Sequence, residues 1–313
     1  MKAQRDTFIS DLYELAKTDK NIILMSVDMG APSLDIWRQT LPDQFIAAGI
    51  SEQNAINVAA GLSNAGKKVY VYFMASWTAR CFEQIRYSCS MAKNPITILG
   101  NGVAMGYAPA GPAHEPTEDM AYVRSINNIE IWSPANTSAT KELVKLTVEK
   151  PALRYIRLER NYAKEMEEYT YSTNNTISLV KPGLKESIDD KPRIIILSSG
   201  YMLGRAHNAW GKLITHHQVS LYDIWRIKPL SADQLSSILS NYTHVVTIEE
   251  QTLAGGFGSA ICEVICDKGL NKKVLRLGLP ERFPFENGTR DHLIDTNGLS
   301  LENIINKIEN FIK

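Results

Sequence analysis

No stretch of this 313-residue sequence stays apolar for the roughly 20 residues that a membrane-crossing helix needs. Its N-terminal segment, MKAQRDTFISDLYELAK, scatters charges among the apolar residues and lacks the continuous apolar run of a secretion signal. Net charge is missing as well. Lys and Arg number 34 and Asp and Glu number 34, so the concentrated basic face that nucleic acid demands is not expected. Cysteine is scarce: Cys81, Cys89, Cys262 and Cys266 form no CxxC pair, and two sulfurs four apart on a helix cannot complete a zinc site. The expectation is reduced, buried thiols in a cytoplasmic protein. Internal repeats and low-complexity tracts are absent too.

What is present is apolar material in short, spaced runs. Hydrophobic residues make up 44% of the chain, enough for two domains with cores of their own. Residues 5–17 show helical spacing through Phe8, Leu12, Leu15 and Ala16. A strand is expected over 22–27, ending at Asp28. Further apolar runs at 69–73, 96–99, 121–125 and 129–132 suit buried strands, with a helix over 82–90. The stretch 161–192 turns polar around a Pro-Gly pair and reads as a domain junction with an edge hairpin. A second series then begins with IIILSSG and continues through VSLYDIWRIKPL, HVVTIEE and KKVLRLGLP to the amphipathic LENIINKIENFIK. The pattern predicts an α/β protein of two doubly wound domains, 1–175 and 191–313, joined by a linker at 176–190.

Residues 46–66 read IAAGISEQNAINVAAGLSNAG: a strand end, a Ser-Glu-Gln start and a helix of small residues. Ser51 suits the N-cap, and a glutamate there can simply complement the helix dipole. The following segments change that reading. GISEQNAINVAAGLS, MASWTARCFEQIRYS, GYAPAGPAHEPTEDMAYVRSI and WSPAN, in this order, resemble the transketolase and deoxyxylulose-phosphate synthase superfamily. The likeness resumes at IKPL, VVTIEE, LAGGFGS and LGLP, so it covers most of the chain.

The resemblance implies a thiamine-diphosphate pyrimidine-binding domain followed by a transketolase C-terminal-like domain. It makes Glu52 the carboxylate that shares a proton with N1′ of the cofactor's aminopyrimidine, the interaction from which the cofactor's carbanion chemistry starts. Trp77 falls at the position of the aromatic that stacks on the pyrimidine, where the family usually has Phe. Phe73 and Met74 stand close enough in sequence to line the same pocket. Arg80 matches an arginine of the synthase branch, or pairs with Glu83 on its own helix. His114, in GPAHEP, matches the family's substrate histidine, which hydrogen-bonds an oxygen of the donor. Arg5, Ser33, Arg157 and Arg160 resemble substrate-binding positions, and guanidinium groups suit phosphate because they grip it bidentately. Asp28 reads as a subunit-contact or cofactor-shell carboxylate.

Two positions depart from the family pattern. Ala110 stands where an Asp usually reads the substrate's C2 hydroxyl, and Gly102 stands where transketolases often carry a phosphate-contacting His. Both put standard pentose-phosphate specificity in doubt. The Gly-Asp-Gly motif that opens the family's diphosphate and Mg²⁺ site does not occur. GGFGS at 255–259 reads as a packing turn, and Glu249 and Glu250 as structural carboxylates rather than metal ligands.

An N-terminal partner subunit is therefore expected to hold Mg²⁺ and the diphosphate. This chain would also pair with its own copy in a two-plus-two heterotetramer. The leading expectation is transfer of a two-carbon ketol unit from a ketose to an aldose. The alternatives are a synthase that adds an acyl unit from a decarboxylated 2-oxo acid, the β subunit of a 2-oxo acid dehydrogenase, or a noncatalytic regulatory subunit.

Overall fold

Parallel strand pairing organises both halves of the chain. The computed structural model describes residues 3–161, 176–183 and 193–313. The first half supplies β1 (Ile22–Ser26), β2 (Phe45–Ala47), β3 (Lys68–Met74), β4 (Ile96–Asn101), β5 (Glu130–Trp132) and β6 (Arg154–Leu158). Its helices are α1 (Gln4–Ala16), α2 (Pro32–Thr40), α3 (Glu52–Asn64), α4 (Phe82–Gln84), α5 (Asp119–Arg124) and α6 (Thr137–Glu149). Helix α4 runs on into a π-helical turn, Ile85–Met91.

The second half supplies β7 (Ser178–Lys181), β8 (Arg193–Ser198), β9 (Gln218–Asp223), β10 (Arg226–Lys228), β11 (His244–Thr252) and β12 (Lys273–Leu279). Its helices are α7 (Met202–Leu213), α8 (Ala232–Leu239), α9 (Phe257–Asp267), α10 (Arg290–Ile294) and α11 (Leu301–Ile312).

Strand order is β10-β5-β6-β4-β3-β1-β2 in the first sheet and β12-β11-β8-β9-β7 in the second. Alternation decides which side chains fill which layer. In β3, Val69, Val71 and Phe73 enter one core, while Tyr70 and Tyr72 enter the opposite one beneath α1, α2 and α6. The first of these cores does not stop at the domain boundary. It takes in Ile195, Leu197, Val245, Phe257 and Ile261 of the second half. A separate core joins α7 and α11 to the other face of the second sheet through Ile196, Leu203, Ile304 and Ile308.

One local feature differs from the expectations, and two other stretches gain detail. Residues 121–125 are not a strand: α5 occupies that region, with Met120 and Val123 buried at helical spacing. A five-residue apolar run has too few positions for its period to decide between the two structures. The run 219–230 divides between the two sheets. Its first part, β9, stays in the second sheet. Its last part, β10, leaves to pair antiparallel with β5 at the edge of the first sheet. Trp225, just before β10, packs edge-on to Trp132 with ring centroids 5.5 Å apart, and its carbonyl accepts from Ser133 N–H at 2.7 Å. Within the proposed linker, β7 is an edge strand of the second sheet, antiparallel to β9. Residues 162–175 and 184–192 of the junction lie outside the described residues, as does any second strand of the hairpin expected there. Of the cysteines, Cys81 and Cys89 are buried, and burial pushes both thiols up to about 12. Cys262 is half-buried and Cys266 exposed.

The two halves are also fastened by charge. Arg290, at the head of α10, is buried between Glu159 of the first half and Glu250 of the second. Its Nη2 donates to Glu159 at 2.9 Å and to Glu250 at 2.6 Å, its Nε to Glu250 at 2.8 Å, and its Nη1 also bonds Glu159. The Tyr201 ring lies 3.7 Å beneath the guanidinium. Glu249, one residue before Glu250, takes backbone N–H donors from Phe257 and Gly258 at 2.6 and 2.8 Å and so closes the open end of α9. The glycines of GGFGS let that carboxylate in: a Cβ on Gly256 would lie 2.3 Å from a Glu249 oxygen.

Removing the cation alone strands two buried carboxylates. Arg290→Met should lower the urea midpoint by the equivalent of roughly 3–5 kcal/mol, the usual cost of breaking a buried ion pair. Adding Glu159→Gln and Glu250→Gln should restore most of it. An unchanged midpoint in the single variant would show that the domains do not depend on this bridge.

Candidate active site

Glu52 is the first residue of α3 and is only 4% exposed, although it is an acidic side chain at a helix start. Ser51 occupies the cap position but does not cap with its side chain; its hydroxyl donates to Ala48 O at 2.6 Å. The carboxylate meets Arg80, whose Nη1 lies 3.2 Å from Glu52 Oε2. Arg80 thus pairs across the site with Glu52 rather than along its own helix. The same guanidinium sits 5.0 Å over the Trp77 ring. Trp77 is half-buried and stands edge-on to His114, with centroids 6.0 Å apart. His114 in turn lies 6.4 Å from the ring of Tyr107, and Arg160 lies 4.2 Å over that ring. One continuous wall therefore runs from Glu52 through Arg80, Trp77, His114 and Tyr107 to Arg160.

Arg5 and Ser33 sit together farther along. Arg5 donates to Asp6 at 2.8 Å, and the Ser33 hydroxyl donates to the same carboxylate at 2.9 Å. The backbone N–H of Arg5 bonds Glu159 O at 3.2 Å, which ties α1 to the exit of β6 beside Arg160. Burial works against the charge of Arg5, but Asp6 and Tyr72 beside it leave its pKa raised, so it stays a cation. Met74 is half-buried at the end of β3. Asp28 is exposed, in the left-handed backbone region at φ 46°, on the loop after β1.

Two expected site residues have other work. Phe73 has no exposed surface and belongs to the core beneath Trp77, so it backs the wall rather than facing it. Arg157 is buried against Asp119, with bonds of 2.7 and 3.0 Å, and Tyr155 donates to the same carboxylate at 2.8 Å. Its side chain lines a narrow polar crevice between the domains, with Glu159, Ser199, Tyr201 and Arg290. In a strand-end pair such as 157 and 160, residue type is the same and only the neighbours decide which points inward.

Tyr107 and Glu115 were not expected from the sequence. Nothing in the residue pattern marks Tyr107, whose importance is a contact in space. Glu115 follows His114 directly, and both of its oxygens are buried without a hydrogen-bond partner, as is Nδ1 of His114. Burial pushes the Glu115 carboxyl up to about 7, helped by the nearby charges of Glu250 and Glu286.

The donor set suits one end of thiamine diphosphate. A buried carboxylate at a helix head can hold a ring nitrogen, a half-buried indole offers a face, and a histidine has an unused ring nitrogen. Among the described residues no group of three or more His, Cys, Asp or Glu side chains is arranged to hold a metal. No described helix is long and apolar enough to cross a membrane.

Glu115 generates a pH signature. Its folded pKa lies above the ordinary carboxyl value, so between about pH 4.5 and 7 the folded chain keeps a proton that the unfolded chain has released. Stability contributed by this group is full at the acid end and is lost as pH rises through that window. Glu115→Gln should therefore gain stability relative to the parent chain from pH 5 to pH 8, on the order of 2 kcal/mol by urea denaturation. A gap that stays constant with pH would show that the carboxyl titrates normally.

The chain matches the transketolase pyrimidine-binding domain over residues 2–165 and the transketolase C-terminal domain over residues 185–304. It is 28% identical over 317 residues to one subunit of the apulose-4-phosphate transketolase of Phocaeicola vulgatus, covering 100% of this chain and 98% of that protein. It is 29% identical over 306 residues to the 1-deoxy-D-xylulose-5-phosphate synthase of Caldanaerobacter subterraneus subsp. tengcongensis, covering 97% of this chain but 48% of the synthase. A solved structure described as a split gene transketolase, an inactive beta4 tetramer, superimposes with a TM-score of 0.86 at 26% identity, covering 100% of this chain and 99% of that one. With both domain families matched in order on the sheets described above, the chain belongs to the transketolase family.

Proposed function

We propose that this chain is the pyrimidine-binding subunit of a two-chain, thiamine-diphosphate-dependent transketolase, moving a two-carbon ketol unit from a ketose to an aldose. The observation that carries the reading is the buried Glu52 carboxylate at the head of α3, with Arg80 and Trp77 beside it and His114 next in line. The near end-to-end match to a single subunit of the apulose-4-phosphate transketolase supports the split, and the chain spans about half the length of the synthase it matches.

The cofactor, when bound, supplies the carbanion stabilisation that cleaving and forming carbon–carbon bonds needs. Glu52 would hold a proton shared with the pyrimidine N1′. Arg80 is half-exposed and can swing aside from the carboxylate as the ring arrives. Trp77 would give the ring a face. His114 would hydrogen-bond a substrate oxygen, and Arg160 and Arg5 would grip an anionic substrate end. Met74, at the exit of β3, would border the ring, and Asp28, exposed after β1, would face a neighbouring chain.

Mg²⁺ and the diphosphate would be held by an N-terminal subunit of the transketolase family. A second copy of this chain would cover the apolar surface around α3 and the π-helical turn, where Ile50 is 75% and Met91 68% exposed and Val58 and Tyr87 are exposed as well. This completes a two-plus-two assembly working in the cytoplasm. A second reading, a synthase that draws its carbon unit from a 2-oxo acid, draws support from the synthase relative and from Ala110 in the substrate loop.

Reconstitution with the diphosphate-binding subunit tests the proposal. Assayed against ketose phosphates and 2-oxo acids, the pair should consume ketoses, and each subunit alone should be inactive. Glu52→Gln should lower kcat by roughly 10²–10⁴-fold, the scale of a lost acid–base group. Full activity in that variant would leave this chain a regulatory subunit, and turnover of 2-oxo acids alone would favour the synthase.

A further inference from the structure

Trp77 and Arg80 leave the exit of β3 on one short stretch. The 3₁₀ turn Ala75–Thr78 carries the indole, and Arg80 follows about one turn later. That spacing lays the guanidinium over the indole, with its central carbon 5.0 Å from the ring centroid. The same guanidinium donates from Nη1 to Glu52 Oε2 at 3.2 Å. One flat, nitrogen-bearing group thereby makes two contacts at once. It bonds the buried carboxylate, and it covers the aromatic face beside it.

An aminopyrimidine that bonds Glu52 and lies on Trp77 is also flat and also carries nitrogens at its edge. It needs the volume between the carboxylate and the indole, which Arg80 fills, so one excludes the other. The arginine is the one that can leave: its side chain is 49% exposed, against 5% for that of Glu52. Water can take up the cation, whereas the carboxylate stays in the site for its next partner. The hold is light, because half-exposed ion pairs and cations over rings are individually weak. Together they bias the site without sealing it.

We propose that Arg80 is an autoinhibitory latch on the cofactor site: its guanidinium stands in the place of the pyrimidine between Glu52 and Trp77, and binding has to expel it. The latch keeps the buried carboxylate paired until a ring takes over its bond. Apparent affinity for any ligand that needs this volume falls in proportion to the fraction of molecules with the latch open. This inference rests on the transketolase reading of the site.

The test is calorimetric binding of thiamine diphosphate with Mg²⁺ to the reconstituted two-chain complex. Arg80→Ala should tighten binding by roughly three- to tenfold, the factor for a latch closed in most molecules. Arg80→Lys, which keeps the charge but loses the planar fork, should fall between parent and Arg80→Ala. Inorganic diphosphate with Mg²⁺ has no ring to place beside Trp77 and should bind the parent and Arg80→Ala complexes alike. Thermal unfolding of each variant checks that it folds. Unchanged or weaker cofactor binding in Arg80→Ala overturns the proposal, and so does a diphosphate affinity that rises by the same factor. If the parent complex binds the cofactor and consumes ketoses but Arg80→Ala binds no tighter, the latch falls and the transketolase reading stands. A complex that binds the cofactor in neither form sinks that reading, and the latch with it.

Discussion

Parallel pairing of β1, β2, β3, β4 and β6 is the constraint on which the rest of this molecule depends. Register holds Ser26 beside Tyr72, Met74 beside Asn101, and Asn101 beside Leu158, so these strands end along one edge of the sheet. Ligand sites in open parallel sheets gather at such an edge, because the loops that leave the strands there converge. β2 leads to Glu52, β3 to Trp77 and Arg80, β4 to Gly102, Tyr107 and His114, and β6 to Arg160. Separated stretches of sequence thereby become one wall. Arg5 is the exception, since it comes from α1, and it is tied to the exit of β6 through Glu159 O.

The second domain does more than extend the chain. It lends β10 to the edge of the first sheet and packs into the core that lies beneath Phe73 and α3. It also supplies Arg290, held by Glu250 and bonded to Glu159 one residue before Arg160. A buried cation between two carboxylates is costly to desolvate and costly to break, so the bridge ties the two halves without adding much net stability. The strand exit that carries Arg160 is thus set from both sides, by α1 and by α10.

Much of the candidate site was legible because its residues lie in short segments. Glu52, Trp77, Arg80 and His114 sit in stretches whose order and residue types are diagnostic, and the structure brings them together. The alternation in β3 and the amphipathic pattern of α11 follow directly from which side chains must be buried. The rest depended on contacts that no local pattern encodes. Arg157 and Arg160 are the same residue type three positions apart, and the contact with Asp119 makes one a buried ion pair while the other lies over the Tyr107 ring. Tyr107 is placed by its contact with Gly102, five residues earlier, and by its ring contacts with His114 and Arg160. β10 is three residues long, too short for periodicity to show which sheet it joins.

The proposed function requires one carboxylate, Glu52, to meet the cofactor ring. The most direct measurement is a structure of this chain in complex with its diphosphate-binding partner and thiamine diphosphate. A Glu52 oxygen within about 2.6–3.2 Å of the pyrimidine N1′, with the diphosphate contacted by the other chain, is the predicted result. A Glu52 carboxylate still paired with Arg80 and remote from the ring, or a diphosphate gripped by this chain itself, would contradict it.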